Sequence, residues 1–224
     1  SKVFPMFERN GHPNKAVEHL LRQRQGRRRR FVTPRRFDVV RHLADSGMLP
    51  AIYFIFCRAG CDSAATSLAS AGMRMSDPEA RLRIREIVER RTSHLSAPDL
   101  RALGFEQFAS QLEVGVAAHH AGMVPAFKET VEEAFAAGLV KVVFATETLA
   151  LGINMPARTV VLESMTKYNG ETHEVLRPGD YTQLTGRAGR RGIDDRGYGV
   201  SLYSPFVRFD RVASIAGSGA HPLR

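Results

Sequence analysis

The sequence predicts an α/β fold: a mainly parallel sheet flanked by helices, preceded by a basic N-terminal arm. Three observations lead there. Residues 51–57 form a continuous apolar run of strand length, the pattern of a strand covered on both faces. Comparable short runs recur at 114–118, 140–145, 159–162 and 198–203. Between them lie stretches with apolar residues at helical spacing, and strands alternating with helices favour parallel pairing.

The elements follow in chain order. Residues 14–24 form a short amphipathic helix with Val17, Leu20 and Leu21 on one face. The arginine block at 27–30 has nothing to bury and reads as a solvated linker or a phosphate contact. Thr33-Pro34 offers a capping hydroxyl and a Pro at the first helical position, and Phe37, Val40, Leu43 and Ala44 continue a helix that Gly47 stops. Residues 1–49 are therefore an arm or interdomain linker, residues 50–204 the main domain, and residues 205–224 a connector without clear period. Within the domain, residues 77–94 carry Leu82, Ile84, Ile87 and Val88 among charges. Ser96-Ala97-Pro98-Asp99 has capping-box spacing, and residues 125–137 place Phe127, Val131, Ala134 and Phe135 on one face before Gly138.

Composition narrows the class. An apolar fraction of 43% and a charged fraction of 25% are those of a globular protein with an ordinary core. No apolar run reaches the ~20 residues of a membrane span, so no membrane partner is expected. The net charge of +9, carried mostly by arginine, suits a polyanionic partner. Cys57 and Cys61 lack a second ligand pair, so no metal site is expected and reduced thiols fit a cytoplasmic location. The start at Ser1, without an initiator Met, suggests a segment of a longer chain.

The chemistry concentrates in Gln183-Leu184-Thr185-Gly186-Arg187-Ala188-Gly189-Arg190. Two arginines three apart, on a helix opened by Pro178-Gly179-Asp180, are expected to project to nearly one face. Gly186, Ala188 and Gly189 would let another surface approach closely. Guanidinium groups presented in this way stabilise charge on a transferring γ-phosphoryl group. A surface helix with scattered arginines would show the same composition.

This segment resembles motif VI of superfamily 2 helicases. Residues 144–156 resemble motif V of the superkiller-type DExH-box RNA helicases, actinobacterial members included. Ala118-His119-His120-Ala121-Gly122-Met123 is similar to the segment between that family's motifs IV and V, and residues 53–58 to its motif IV, where Cys57 replaces a common Ser. The resemblance implies a second RecA-like domain, with Arg187 and Arg190 reaching ATP across an interdomain cleft. It places Gln183, Gly186, Gly152 and Asn154 near the nucleotide, and Thr146, His119, His120, Gly122 and Arg58 near RNA. The two histidines fit a structural role equally well. Glu147 either orients Arg or Thr side chains or serves as a helix-start carboxylate. Tyr168 either stacks on a base or packs in a surface turn.

The sequence contains no G-x-x-x-x-G-K-[ST] phosphate loop and no Asp-Glu-x-His or Asp-Glu-x-Asp run for magnesium. ATP and Mg2+ would thus be bound mainly by a first RecA-like domain in cis, with winged-helix and ratchet-like domains expected downstream. Single-stranded or tailed RNA is the expected partner and a monomer the expected state. A DNA-directed superfamily 2 helicase and a non-catalytic nucleic-acid-binding module are the rival readings.

Overall fold

The computed structural model describes residues 2–26, 33–151, 155–168 and 170–218. The arginine block at 27–30 and two of the expected nucleotide contacts, Gly152 and Asn154, lie outside them. Five strands form one parallel sheet: β1 (Ala51–Phe54), β2 (Val116–His119), β3 (Val142–Ala145), β4 (Thr159–Leu162) and β7 (Tyr198–Ser201). Their spatial order is β2-β3-β1-β4-β7. A separate antiparallel hairpin, β5 (Thr166–Tyr168) and β6 (His173–Val175), stands beside the sheet where the sequence suggested only a turn.

Side chains alternate across the pleat, and each face has its own core. Ile52, Phe54, Val143, Ala145, Val160 and Leu162 face one way. They pack against helices α4 (Pro78–Thr92), α6 (Phe105–Val114), α7 (Pro125–Ala136), α8 (Pro178–Thr185) and α9 (Phe209–Gly217). Ala51, Tyr53, Val142, Phe144 and Val161 face the other way, toward α2 (Arg36–Asp45) and α3 (Arg58–Ser70). All four residues of β1, β2, β3 and β4 are buried, which is why these strands read as unbroken apolar runs.

Local chemistry sets the helix starts. Asp77 accepts a hydrogen bond from the Ala80 N–H at 2.7 Å, with Pro78 at the first helical position. The Ser96 hydroxyl accepts from the Asp99 N–H at 3.3 Å to open α5 (Ala97–Ala102). Asn14 caps α1 (Lys15–Gly26) through the N–H groups of Ala16 and Val17. Gly115, at φ 93°, turns the chain from α6 into β2.

The flanking segments join this body. α2 starts at Arg36 without a side-chain cap, two residues beyond the expected Pro34, because Arg35 takes the extended N-cap conformation. It buries Val39, Val40 and Leu43 against α3. Arg36 also reaches Glu163, just past β4, in a fork of hydrogen bonds at 3.0 and 2.8 Å. The stretch after residue 204 contains α9, which packs against α1 and buries Val212, Ala213 and Ile215. At nine residues it is too short to announce a period in the sequence.

α6 and α7 meet through a stacked Phe108–Phe127 pair, ring centroids 4.0 Å apart. Leu112 is fully buried in the same core. Leu112→Ala should therefore lower unfolding free energy by ~2–5 kcal/mol in a urea titration.

Candidate functional site

The strand registers align so that His119, Ala145, Phe54, Leu162 and Ser201 end in one row. The chain passes from β3 to β4 across β1, so the direction of winding reverses there. Ligands in open α/β sheets gather at the carboxyl edge beside such a reversal. Five of the sequence-predicted residues, Arg58, His119, His120, Gly122 and Thr146, lie at this edge, at or just past the ends of β1, β2 and β3.

The arginine segment is built differently from expectation. α8 ends at Thr185 and Gly186 caps it, so Arg187 and Arg190 do not share a helical face. The backbone instead leaves the helix and docks alongside Ala157, which precedes β4. The Ala157 N–H donates to the Arg187 carbonyl at 2.9 Å, and the Gly189 N–H donates to the Ala157 carbonyl at 2.7 Å, a parallel bridge centred on Ala188. Gly189 takes φ 89°. A Cβ on Gly197 would lie 2.5 Å from the Ala188 carbonyl carbon. The small residues thus admit the domain's own backbone, not a foreign surface.

Beyond the bridge, Arg190 meets Asp194. Its Nε and Nη2 donate to the two carboxylate oxygens at 2.8 Å each, and its backbone N–H donates to Oδ2 at 2.9 Å. The Asp194 side chain is only 2% exposed and that of Arg190 24%. This pairing holds the Asp194 carboxyl down at about 2, against the burial that would raise it. Among the described residues, Nη1 and the second N–H of Nη2 make no further hydrogen bond. Arg187 is half-buried, and Gln183 lies exposed on α8, one turn before Gly186.

At the carboxyl edge, at the opposite end of the strands from the arginine segment, five predicted residues come together. The Thr146 N–H donates to the His119 carbonyl at 3.3 Å, and a Cβ on Gly122 would meet the Arg58 side chain at 3.4 Å. Both imidazoles turn inward. His119 Nε2 lies 2.8 Å from Glu132, and burial pushes its pKa down despite that carboxylate. His120 Nδ1 accepts from the Gly122 N–H at 3.1 Å, so Nε2 carries the proton of the neutral ring and donates to Asp62 at 2.9 Å. The Thr146 hydroxyl is paired with that of Thr148 at 2.8 Å. What this corner presents outward is the exposed Arg58 and the backbone around Gly122.

The supporting residues carried no motif. Asp194, Asp62 and Glu132 orient predicted residues, yet only Asp194, four positions after Arg190, had a spacing that could have flagged it. Lys167 was also missed. From β5 it contacts Glu147, in the 3₁₀ turn Glu147–Leu151, at 3.3 Å and Asp180 of α8 at 3.4 Å. Among the described residues no cluster of His, Cys, Asp and Glu could hold a metal ion, and no helix is long and apolar enough to cross a membrane. Both cysteines are free thiols, with Cys61 pushed up to about 12 by burial. A surface hollow between α1 and α9 holds the internally paired charges Glu18–Arg22 and Arg208–Asp210, away from all of these groups.

The model of the helicase conserved C-terminal domain matches residues 87–192, the span from α4 through the arginine segment. A probable helicase HelY of Mycobacterium tuberculosis is 53% identical over 203 residues, covering 91% of this chain and 22% of that protein. The chain belongs to the superfamily 2 DExH helicases as their C-terminal RecA-like domain. Two further relatives are eukaryotic. A chloroplastic DExH-box ATP-dependent RNA helicase of Arabidopsis thaliana is 40% identical over 199 residues, covering 87% of the chain and 16% of the relative. The human superkiller complex protein 2 is 42% identical over 160 residues, covering 71% and 13%. The helicase domain thus spans about a fifth or less of the length of these relatives.

Two outcomes follow for the helicase domain. Gly197→Ala should lower stability by ~1–3 kcal/mol in urea, since its methyl group meets rigid backbone. Asp194 contributes stability above its unfolded pKa of about 4, and that contribution is lost as pH falls toward 2. Wild type should therefore exceed Asp194→Asn in stability at neutral pH, and an acid titration should show the gap closing over that window.

Proposed function

We propose that this is the second motor domain of an ATP-dependent RNA helicase, supplying arginine fingers to ATP bound by a first RecA-like domain and carrying part of a single-stranded RNA track. The observation that carries this reading is Arg190, fixed along its Nε–Nη2 edge by Asp194 and leaving N–H groups for an outside anion. Arg187 would join it, with Gln183 and Gly186 facing the same cleft and Gly152 and Asn154 at the nucleotide edge. The first domain would hold most of the ATP and Mg2+ contacts. Closure onto ATP would then complete the site, because only the closed form gains the arginine contacts.

RNA would lie against the opposite corner. Arg58 offers a charge-assisted donor to a phosphate, and the backbone at Gly122 permits close approach. His119 and His120 would act by holding that corner in shape, as their side chains are buried on Glu132 and Asp62. Thr146 would contribute through its hydroxyl, after exchanging its Thr148 partner, with nearby backbone N–H groups as further donors. The name of the Arabidopsis relative, an ATP-dependent RNA helicase, supports RNA over DNA.

The decisive experiment uses the full-length protein and RNA-stimulated ATP turnover. Arg190→Ala alone would strand a buried carboxylate, a costly defect unrelated to catalysis. The comparison is therefore Arg190→Ala/Asp194→Asn against Asp194→Asn. The arginine finger predicts a further loss of about 10²-fold or more with ATP binding retained. Unchanged turnover would refute the assignment, and stronger unwinding of a matched tailed DNA than of RNA would overturn the RNA reading.

A further inference from the structure

The hairpin β5–β6 is tied to the sheet edge through one cation. The Lys167 ammonium, on β5, lies 3.3 Å from Glu147 Oε2 and 3.4 Å from Asp180 Oδ2. Each carboxylate belongs to a different functional segment. Glu147 follows Thr146 directly and opens the 3₁₀ turn at the end of β3. Asp180 stands in the first turn of α8, where Oδ2 also accepts from the Arg177 N–H at 3.2 Å. That helix carries Gln183 and runs into the Arg187 bridge, and it packs against the 3₁₀ turn. Lys167 thus sits where three segments meet, with its side chain 26% exposed.

We propose that Lys167 is a positioning residue that couples the Thr146 corner to the arginine segment by neutralising Glu147 and Asp180 together. The inference rests on the motor reading above, which gives the two segments their RNA-facing and ATP-facing roles. Without the ammonium, two carboxylates that share one counter-charge would repel, and the 3₁₀ turn and α8 would lose their common tether. With it, a shift of the turn on RNA binding is transmitted to the start of α8. The two carboxylates keep the ammonium protonated above the usual lysine range, although burial works against them. As a staple for the fold the contact is minor, because partly exposed ion pairs contribute little net stability. A variant lacking it should fold.

The test uses the full-length protein with Lys167→Met, which keeps the stem and removes the charge, and Lys167→Arg, which keeps the charge. Three quantities are read: ATP turnover without RNA, RNA affinity, and the stimulation of turnover by saturating RNA. Coupling predicts that Lys167→Met lowers the stimulation about fivefold or more, with basal turnover and RNA affinity within about twofold of wild type. Lys167→Arg should restore most of it. Stimulation equal to wild type in Lys167→Met overturns the proposal, as does a parallel fall in all three quantities, which would mark a structural role. Failure of the motor reading looks different, because wild type itself would then show no RNA-stimulated turnover.

Discussion

The close passage of backbone on backbone around Ala188 is the constraint on which the rest of this domain depends. Two hydrogen bonds flank Ala188 and tie the arginine segment to Ala157, one residue pair outside β4. The approach is possible because Gly197 has no side chain, and because Gly189 can take the left-handed conformation that the bridge demands. From this fixed point the chain can only proceed toward the turn where Arg190 and Asp194 pair. A segment floating at the end of α8 would leave both arginines to sample many positions. Docked on the sheet, they inherit the rigidity of the strand beside them.

That rigidity is supplied by the sheet itself. Four strands of four buried residues each, covered by helices on both faces, leave little freedom along the strand direction. The in-line registers bring chain ends that are far apart in sequence to one edge. Thr146 rests on the His119 carbonyl because β2 and β3 end together, and Arg36 reaches Glu163 because α2 covers the face beneath β1 and β4. Loops placed on such an edge can carry polar chemistry while the packing below bears the energetic load.

Much of this was legible in the sequence. The strands were visible because burial on both faces removes the polar alternation, and α4, α5 and α7 because their caps and terminators are local signals. The order and spacing of the helicase-like motifs located the edge residues. Three kinds of feature escaped. The arginines looked helical because spacing alone does not reveal a cap at Gly186 that is followed by a strand-like bridge. The hairpin was hidden by its three-residue strands and α9 by its brevity. The partners Asp62, Glu132 and Lys167 depend on contacts across the fold, which no local window contains.

Asp194 has a consequence for how an arginine can act quickly. A guanidinium on a free surface side chain explores many rotamers, and ordering such a long chain costs ~1.5–2 kcal/mol. Here the Nε–Nη2 edge is already docked, so that disorder was removed when the domain folded. On the proposed reading, the far edge would have its aim set before any partner arrives. An anion meeting it need not organise the side chain, and it need not displace the carboxylate. The same clamp limits reach: on the proposed arginine-finger reading, the whole domain would have to be brought to the right distance.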